Sequence, residues 1–190
     1  MDRFEFFFTL TGLLLGFSLV EVVGGFGRAL EHAVLSSAAV RSARARIGWL
    51  SPLLGLFVIF NLVSFWTAAW RLRDEFPVTY LSLLYAVTVI GGYYLAAMLV
   101  FPRTIVERAD LDDHYFAVKR WVLAVVAACN LLGAAGFALL GRGFFQGWAD
   151  LVFYALLIAL FFARGRRVNL LLLIPIAAAY PVSTLVSLVR

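Results

Sequence analysis

Leu151-Val-Phe-Tyr-Ala-Leu-Leu-Ile-Ala-Leu-Phe-Phe-Ala163 is apolar on every face. A strand of a membrane barrel alternates apolar and polar residues over about ten positions. This stretch alternates nowhere, and only a helix satisfies its own backbone groups through such a run inside hydrocarbon. The fold class read from it is all-α.

Working outward, five further apolar blocks accompany it. The six spans read from hydropathy are 5–27, 49–70, 77–101, 120–140, 147–164 and 168–189, each near the roughly 20 residues that cross a bilayer core. They occupy most of the 190 residues, at 64% hydrophobic and 14% charged, where soluble domains carry about 25% charge. Residues 1–190 therefore read as a single integral membrane domain, a six-helix bundle with no room for a soluble catalytic module. The first span is read as a span and not as a signal peptide, because Asp2 and Glu5 stand where a basic cluster would be expected.

Loop charges set an orientation. The loops after the first, third and fifth spans, with their edges, carry 11 of the 16 Lys and Arg, which by the positive-inside rule places them in the cytoplasm and both termini outside. The same asymmetry explains the net charge of +5: these residues meet anionic lipid, and no soluble surface remains for nucleic acid. Trp49, Trp66, Trp70, Trp121 and Trp148 fall toward span ends, as interfacial anchors do.

Two loops stand out. Residues 28–48 carry Arg41, Arg44 and Arg46, with Leu30, Val34 and Leu35 at helical spacing; the first helix is expected to continue past Gly27, or a short helix to lie in the interface. Residues 102–119 hold Asp110, Asp112, Asp113 and His114. The spacing matches no calcium or zinc pattern, and the acids are better suited to capping the fourth helix and pairing with nearby Arg. No metal and no cofactor are expected.

Polar groups inside a membrane are costly and hence candidates for function. Glu21 shares a helical face with Gly24, Gly25 and Arg28, as a proton carrier or cation ligand on one reading and as a structural ion pair with Arg28 on the other. Asn61 and Asn130 stand near the middle of their spans, in the similar segments Asn61-Leu62-Val63-Ser64 and Asn130-Leu131-Leu132-Gly133; they can bond each other or line a polar path. Tyr94, beside Gly91-Gly92, is a further lining candidate. Pro175 and Pro181 are expected to kink the sixth helix or to free carbonyls for a ligand. Gly12 and Gly16 form a GxxxG close-packing motif, and Asp150 is expected to meet Arg142.

The segments 19–30, Leu-Val-Glu-Val-Val-Gly-Gly-Phe-Gly-Arg-Ala-Leu, and 110–121, Asp-Leu-Asp-Asp-His-Tyr-Phe-Ala-Val-Lys-Arg-Trp, resemble parts of an uncharacterised family of small bacterial multi-pass inner-membrane proteins. The resemblance covers these two stretches; it implies a bacterial inner membrane and no particular activity.

The chain is not expected to be an enzyme. It holds no Gly-x-Ser-x-Gly or His-Glu-x-x-His motif, its one lysine, Lys119, is read at the edge of the fourth span, and His32 and His114 lie in loops. The leading expectation is a small channel or transporter for a proton, cation or small solute, using Glu21, Arg28, Asn61, Asn130 and Tyr94. The alternative is a non-transporting scaffold, sensor or partner subunit that docks through Arg41, Arg44, Arg46, Asp110, Asp112, Asp113 and His114. A bundle of this size has a thin interior, so a homodimer or higher homo-oligomer is expected.

Overall fold

A computed structural model describes residues 3–35, 48–75, 77–103, 111–144 and 147–189; of Arg3, His32, Ala33, Leu35 and residues 180–189 it describes the backbone alone. The described residues form six helices: α1 Arg3–Leu35, α2 Leu50–Arg71, α3 Tyr80–Val100, α4 Leu111–Leu139, α5 Trp148–Phe162 and α6 Arg166–Val189. The fold is all-α, as the sequence predicts. Four segments, Phe4–Glu31, Leu50–Arg71, Tyr80–Val100 and Leu111–Leu139, are long and apolar enough to cross a membrane.

The helices are less equal than the six apolar blocks imply. α1 continues past Gly27 to Leu35, and α4 begins at Leu111, so the second half of the polar 102–119 stretch is helical. α5 has only 15 residues, about 22 Å at 1.5 Å per residue, short of a full crossing. Its apolar block is longer than its helix because Ala163 turns to an extended conformation, with φ −60° and ψ 133°. α6 runs unbroken through Pro175 and Pro181.

Local chemistry fixes several helix ends. Thr79 and Ser82 form a reciprocal capping box at the start of α3: Ser82 N donates to Thr79 Oγ1 at 3.2 Å, and Thr79 N donates to Ser82 Oγ at 2.8 Å. α4 ends at Gly141, whose φ of 76° favours glycine. There the Gly141 and Arg142 amides bond the Ala138 and Phe137 carbonyls, the double closure of a Schellman turn.

α2 is central, packing against α1, α3, α4 and α6, while α3 lies between α1 and α4, and α5 rests on α4 and α6. α1 turns Phe7, Thr11, Leu15, Ser18, Val22, Gly25 and Ala29 inward, a repeat of threes and fours that keeps one seam against its neighbours. Of its GxxxG pair, Gly12 receives the Trp66 ring, which a Cβ there would meet at 2.3 Å, whereas a Cβ at Gly16 would meet no atom within 4 Å. The motif therefore seats an aromatic ring within the chain.

Packing is uneven along the bundle axis. The buried residues of α2 stop at Leu62, those of α4 stop at Cys129, and those of α3 begin at Ala86. These limits are the same depth approached from alternating directions. One half of the bundle, around Leu54, Phe57, Val89, Val122 and Val126, is fully buried. The other half, toward the start of α1, buries residues such as Phe7, Thr11 and Phe153 less completely.

Candidate functional site

That half holds an open cavity of about 520 Å³, walled by the start of α1, the end of α2, Tyr85, Ala86 and Tyr93 of α3, the end of α4 and the start of α5. This is within the 300–1,000 Å³ of typical ligand pockets, which combine apolar walls with a few polar groups. Phe4, Phe7, Phe65, Phe137 and Phe153 contribute the apolar surface. Phe57 of α2 and Phe153 of α5 stack with ring centroids 6.4 Å apart.

Asn130 lines the cavity, and Asn61, buried behind it, is its partner: Asn130 Nδ2 donates to Asn61 Oδ1 at 3.0 Å. Each amide also bonds a backbone carbonyl one turn earlier, Asn61 Nδ2 to Phe57 at 2.8 Å and Asn130 Nδ2 to Val126 at 2.9 Å. These bonds anchor the two amides to their own helices and hold both rotamers. Gly133, one turn beyond Asn130, opens the wall, since a Cβ there would meet no atom within 4 Å. Tyr85 donates to the Leu132 carbonyl from α3, crossing beside Gly136, where a Cβ would lie 2.8 Å from its hydroxyl.

The charged lining residues are Arg71, Arg142 and Asp150. Arg71 ends α2 and Asp150 lies in the first turn of α5, each carrying the charge its helix end favours. Arg142 binds Glu75 through two nitrogens, Nη2–Oε1 at 2.6 Å and Nε–Oε2 at 3.3 Å. The acid that Arg142 holds is thus Glu75, in the α2–α3 turn, where the sequence points to Asp150.

Of the residues expected to form a path, the structure joins Asn61 and Asn130, while Glu21, Arg28 and Tyr94 do not line this cavity. Glu21 and Arg28 flank the inward seam of α1. Among the described residues they form no ion pair, and the Arg28 side chain folds back over Gly24. Gly25 instead seats the Phe101 ring. The inward tyrosine of the Tyr93-Tyr94 pair is Tyr93, buried against Phe65 with centroids 5.6 Å apart.

The opposite face holds a polar network that sequence reasoning missed. Asp112 of α4 accepts the Leu50 amide at 3.1 Å through Oδ1, and Arg166 Nε, at the start of α6, lies 2.8 Å from Oδ2. Asp112 therefore caps α2. Ser51 Oγ donates to the Leu111 carbonyl at 2.8 Å beside it.

Two turns further along α4, Lys119 is 3% exposed and points into the bundle, not out from a span edge. Its ammonium donates to the carbonyls of Leu160, at 3.2 Å, and Ala163, and to Asn169 Oδ1 at 2.8 Å. Tyr115 donates to the same Asn169 oxygen at 2.8 Å, and Asn169 Nδ2 closes on the Gly165 carbonyl at 2.8 Å. A lysine thus supplies carbonyls at the end of α5 with a donor, where that helix stops at Phe162. Asn169, fully buried, stands beside a long apolar run, as Asn61 and Asn130 stand within theirs, and that was the available signal.

Of the docking candidates, Asp113 is exposed and His114 Nε2 lies 3.0 Å from the Leu99 carbonyl. Arg41, Arg44, Arg46 and Asp110 fall outside the described residues. Among the described residues no three His, Cys, Asp or Glu come together as a metal site. Comparison with family models, with curated proteins and with solved structures gave no match.

Proposed function

We propose that the chain is a small transporter of the bacterial inner membrane, crossing it six times with both termini outside, and that the cavity is its solute site. In this reading flanking residues such as Trp148 and Arg164 carry the short α5 to the two interfaces, and the basic residues of the odd loops face cytoplasmic anionic lipid. The carrying observation is a cavity of about 520 Å³ that opens in one half of the bundle, bears Asn130 on its wall, and gives way to close packing beyond it. A cavity confined to one half of the bundle, beside a closely packed half, is a form that suits a carrier open to one side. The Asn61–Asn130 pair then lies where the route must open, and an amide pair holds α2 to α4 by a bond of modest strength, about 0.6–2 kcal/mol.

Flux into proteoliposomes tests this. Protons, potassium ions and a panel of small neutral, anionic and cationic solutes are followed for the wild type, Gly133→Leu and Glu21→Gln. Gly133→Leu fills the cavity without a Cβ clash and is expected to abolish flux. Glu21→Gln is expected to leave it intact, because Glu21 is not on the cavity wall. A wild type that moves none of these species, or a Gly133→Leu variant that moves them normally, overturns the reading.

A further inference from the structure

The cavity wall combines aromatic surface with one arginine that, among the described residues, has no acidic partner. Three arginines with described side chains stand at this face, and two have acidic partners. Arg142 is held by Glu75. Arg73 lies 3.4 Å from Asp74 and over the Trp70 ring at 5.1 Å. Arg71 lines the cavity and, among the described residues, has no carboxylate partner. Guanidinium presents a planar fork that matches a carboxylate in two parallel bonds. Phe4 and Phe7 of α1 and Phe65 of α2 lie in the same wall, giving the body of a ligand an apolar bed while its head stays at the arginine. Asp150, across on α5, adds negative charge to the lining, so a cation is the competing ligand that a test must include.

We propose that the solute is an amphipathic monoanion, a single-chain carboxylate whose acid pairs with Arg71 and whose apolar tail occupies the cavity beside Asn130. This rests on the cavity being the solute site, and it adds the ligand's charge and shape. Arg71 is the residue that selects the anion; the phenylalanines select an apolar tail.

The test uses the full chain in phosphatidylcholine nanodiscs, with radiolabelled decanoate as probe and empty nanodiscs as the partition background. Saturable binding above background is expected, weakened about ten-fold by Arg71→Gln, with much of it kept by Arg71→Lys. Unlabelled decanoate should displace the probe better than decanol or decylamine does. Arg71 is exposed at a helix end, so its variants should fold as the wild type does; release of Gly133→Leu from decanoate binding locates the ligand in the cavity. The inference is overturned if decanoate does not bind saturably, if Arg71→Gln binds it as the wild type does, if decylamine competes as well as decanoate, or if Gly133→Leu still binds it. Failure of the transport reading is recognised separately, by the flux of Gly133→Leu across the solute panel. Decanoate that neither binds nor moves while that flux is cavity-dependent marks the ligand class alone as wrong.

Discussion

Asp112, the second residue of α4, accepts the backbone amide of Leu50, the first residue of α2, at 3.1 Å. A carboxylate on one helix thereby satisfies an orphan donor of another and meets the positive end of its dipole. Trp49, at the α2 N-cap, makes no side-chain cap bond itself. Losing an N-cap costs about 0.5–2 kcal/mol, and Arg166 would lose its acid as well. Asp112→Ala should therefore lower the thermal midpoint in detergent, with Asp112→Asn, which keeps an acceptor, falling between. Cys129, the one cysteine and buried, reports the transition through a thiol-reactive dye. Equal midpoints for the alanine variant and the wild type would show that water replaces the cap at no cost.

Gly48 is where the same contact becomes steric. A Cβ there would lie 1.8 Å from Asp112 Oδ1 and 2.1 Å from its carboxyl carbon, closer than any side chain sits. Gly48→Ala must push the carboxylate off the Leu50 amide, so it should destabilise at least as much as Asp112→Ala. In the Asp112→Ala background the same substitution should cost much less, because groups in contact do not act additively. Additive midpoint shifts in that cycle would contradict the contact.

Lys119 carries the next prediction. Its three ammonium donors are matched by the Leu160 and Ala163 carbonyls and Asn169 Oδ1. Lys119→Met keeps the length and apolar stem but orphans carbonyls at the end of α5, at about 1–3 kcal/mol for a buried group left unsatisfied. Hydrogen exchange by mass spectrometry should show faster exchange in a peptide spanning 157–169, with α3 peptides unchanged. No change in that peptide would mean that α5 is terminated by its own sequence.

What was legible in the sequence follows from how each interaction is encoded. Apolar runs declare helices, so Leu151–Ala163 settled the fold class; they say less about where a helix stops, because Lys119, far away in the chain, takes the carbonyls that close α5. Asn61 and Asn130 could be singled out since an amide in an apolar span needs a partner, and each found the other. Asp112 was read as a cap, which it is, yet for a helix 62 residues earlier, and local spacing holds no trace of that. Glu21 drew attention by its charge, but its place on a flank of α1 depends on how α1 is turned against α3. The cavity was illegible altogether: it arises because burial stops at one depth on three helices, a property of packing and not of any single residue.

The Asn61–Asn130 bond should be measurable as a coupling energy. Single changes to Ala or Leu remove different things, because each amide also bonds its own helix at Phe57 or Val126. The cycle of Asn61→Ala, Asn130→Ala and the double variant isolates the bond between them. Coupling of about 0.6–2 kcal/mol is expected, read from the Cys129 thermal assay. Zero coupling would leave the 3.0 Å approach without energetic weight, and with it the place of the pair as the hold between α2 and α4.

In the six-crossing topology the short α5 runs from an outer to a cytoplasmic loop. Gly147 precedes α5 and Gly165 follows it; both are exposed, and a Cβ at Gly147 meets nothing within 4 Å while one at Gly165 meets only Val168, at 3.8 Å. Cysteines placed at these two positions, in a Cys129→Ser background, should react from opposite sides of the membrane with an impermeant maleimide. Gly147→Cys is expected to label from outside in intact cells, and Gly165→Cys only after the membrane is opened. A helix of 15 residues reaches across only if flanking residues such as Trp148 and Arg164 extend to the two interfaces or the bilayer thins locally. Both cysteines labelling from one side would show that α5 re-enters instead of crossing, and would reverse the direction assigned to α6.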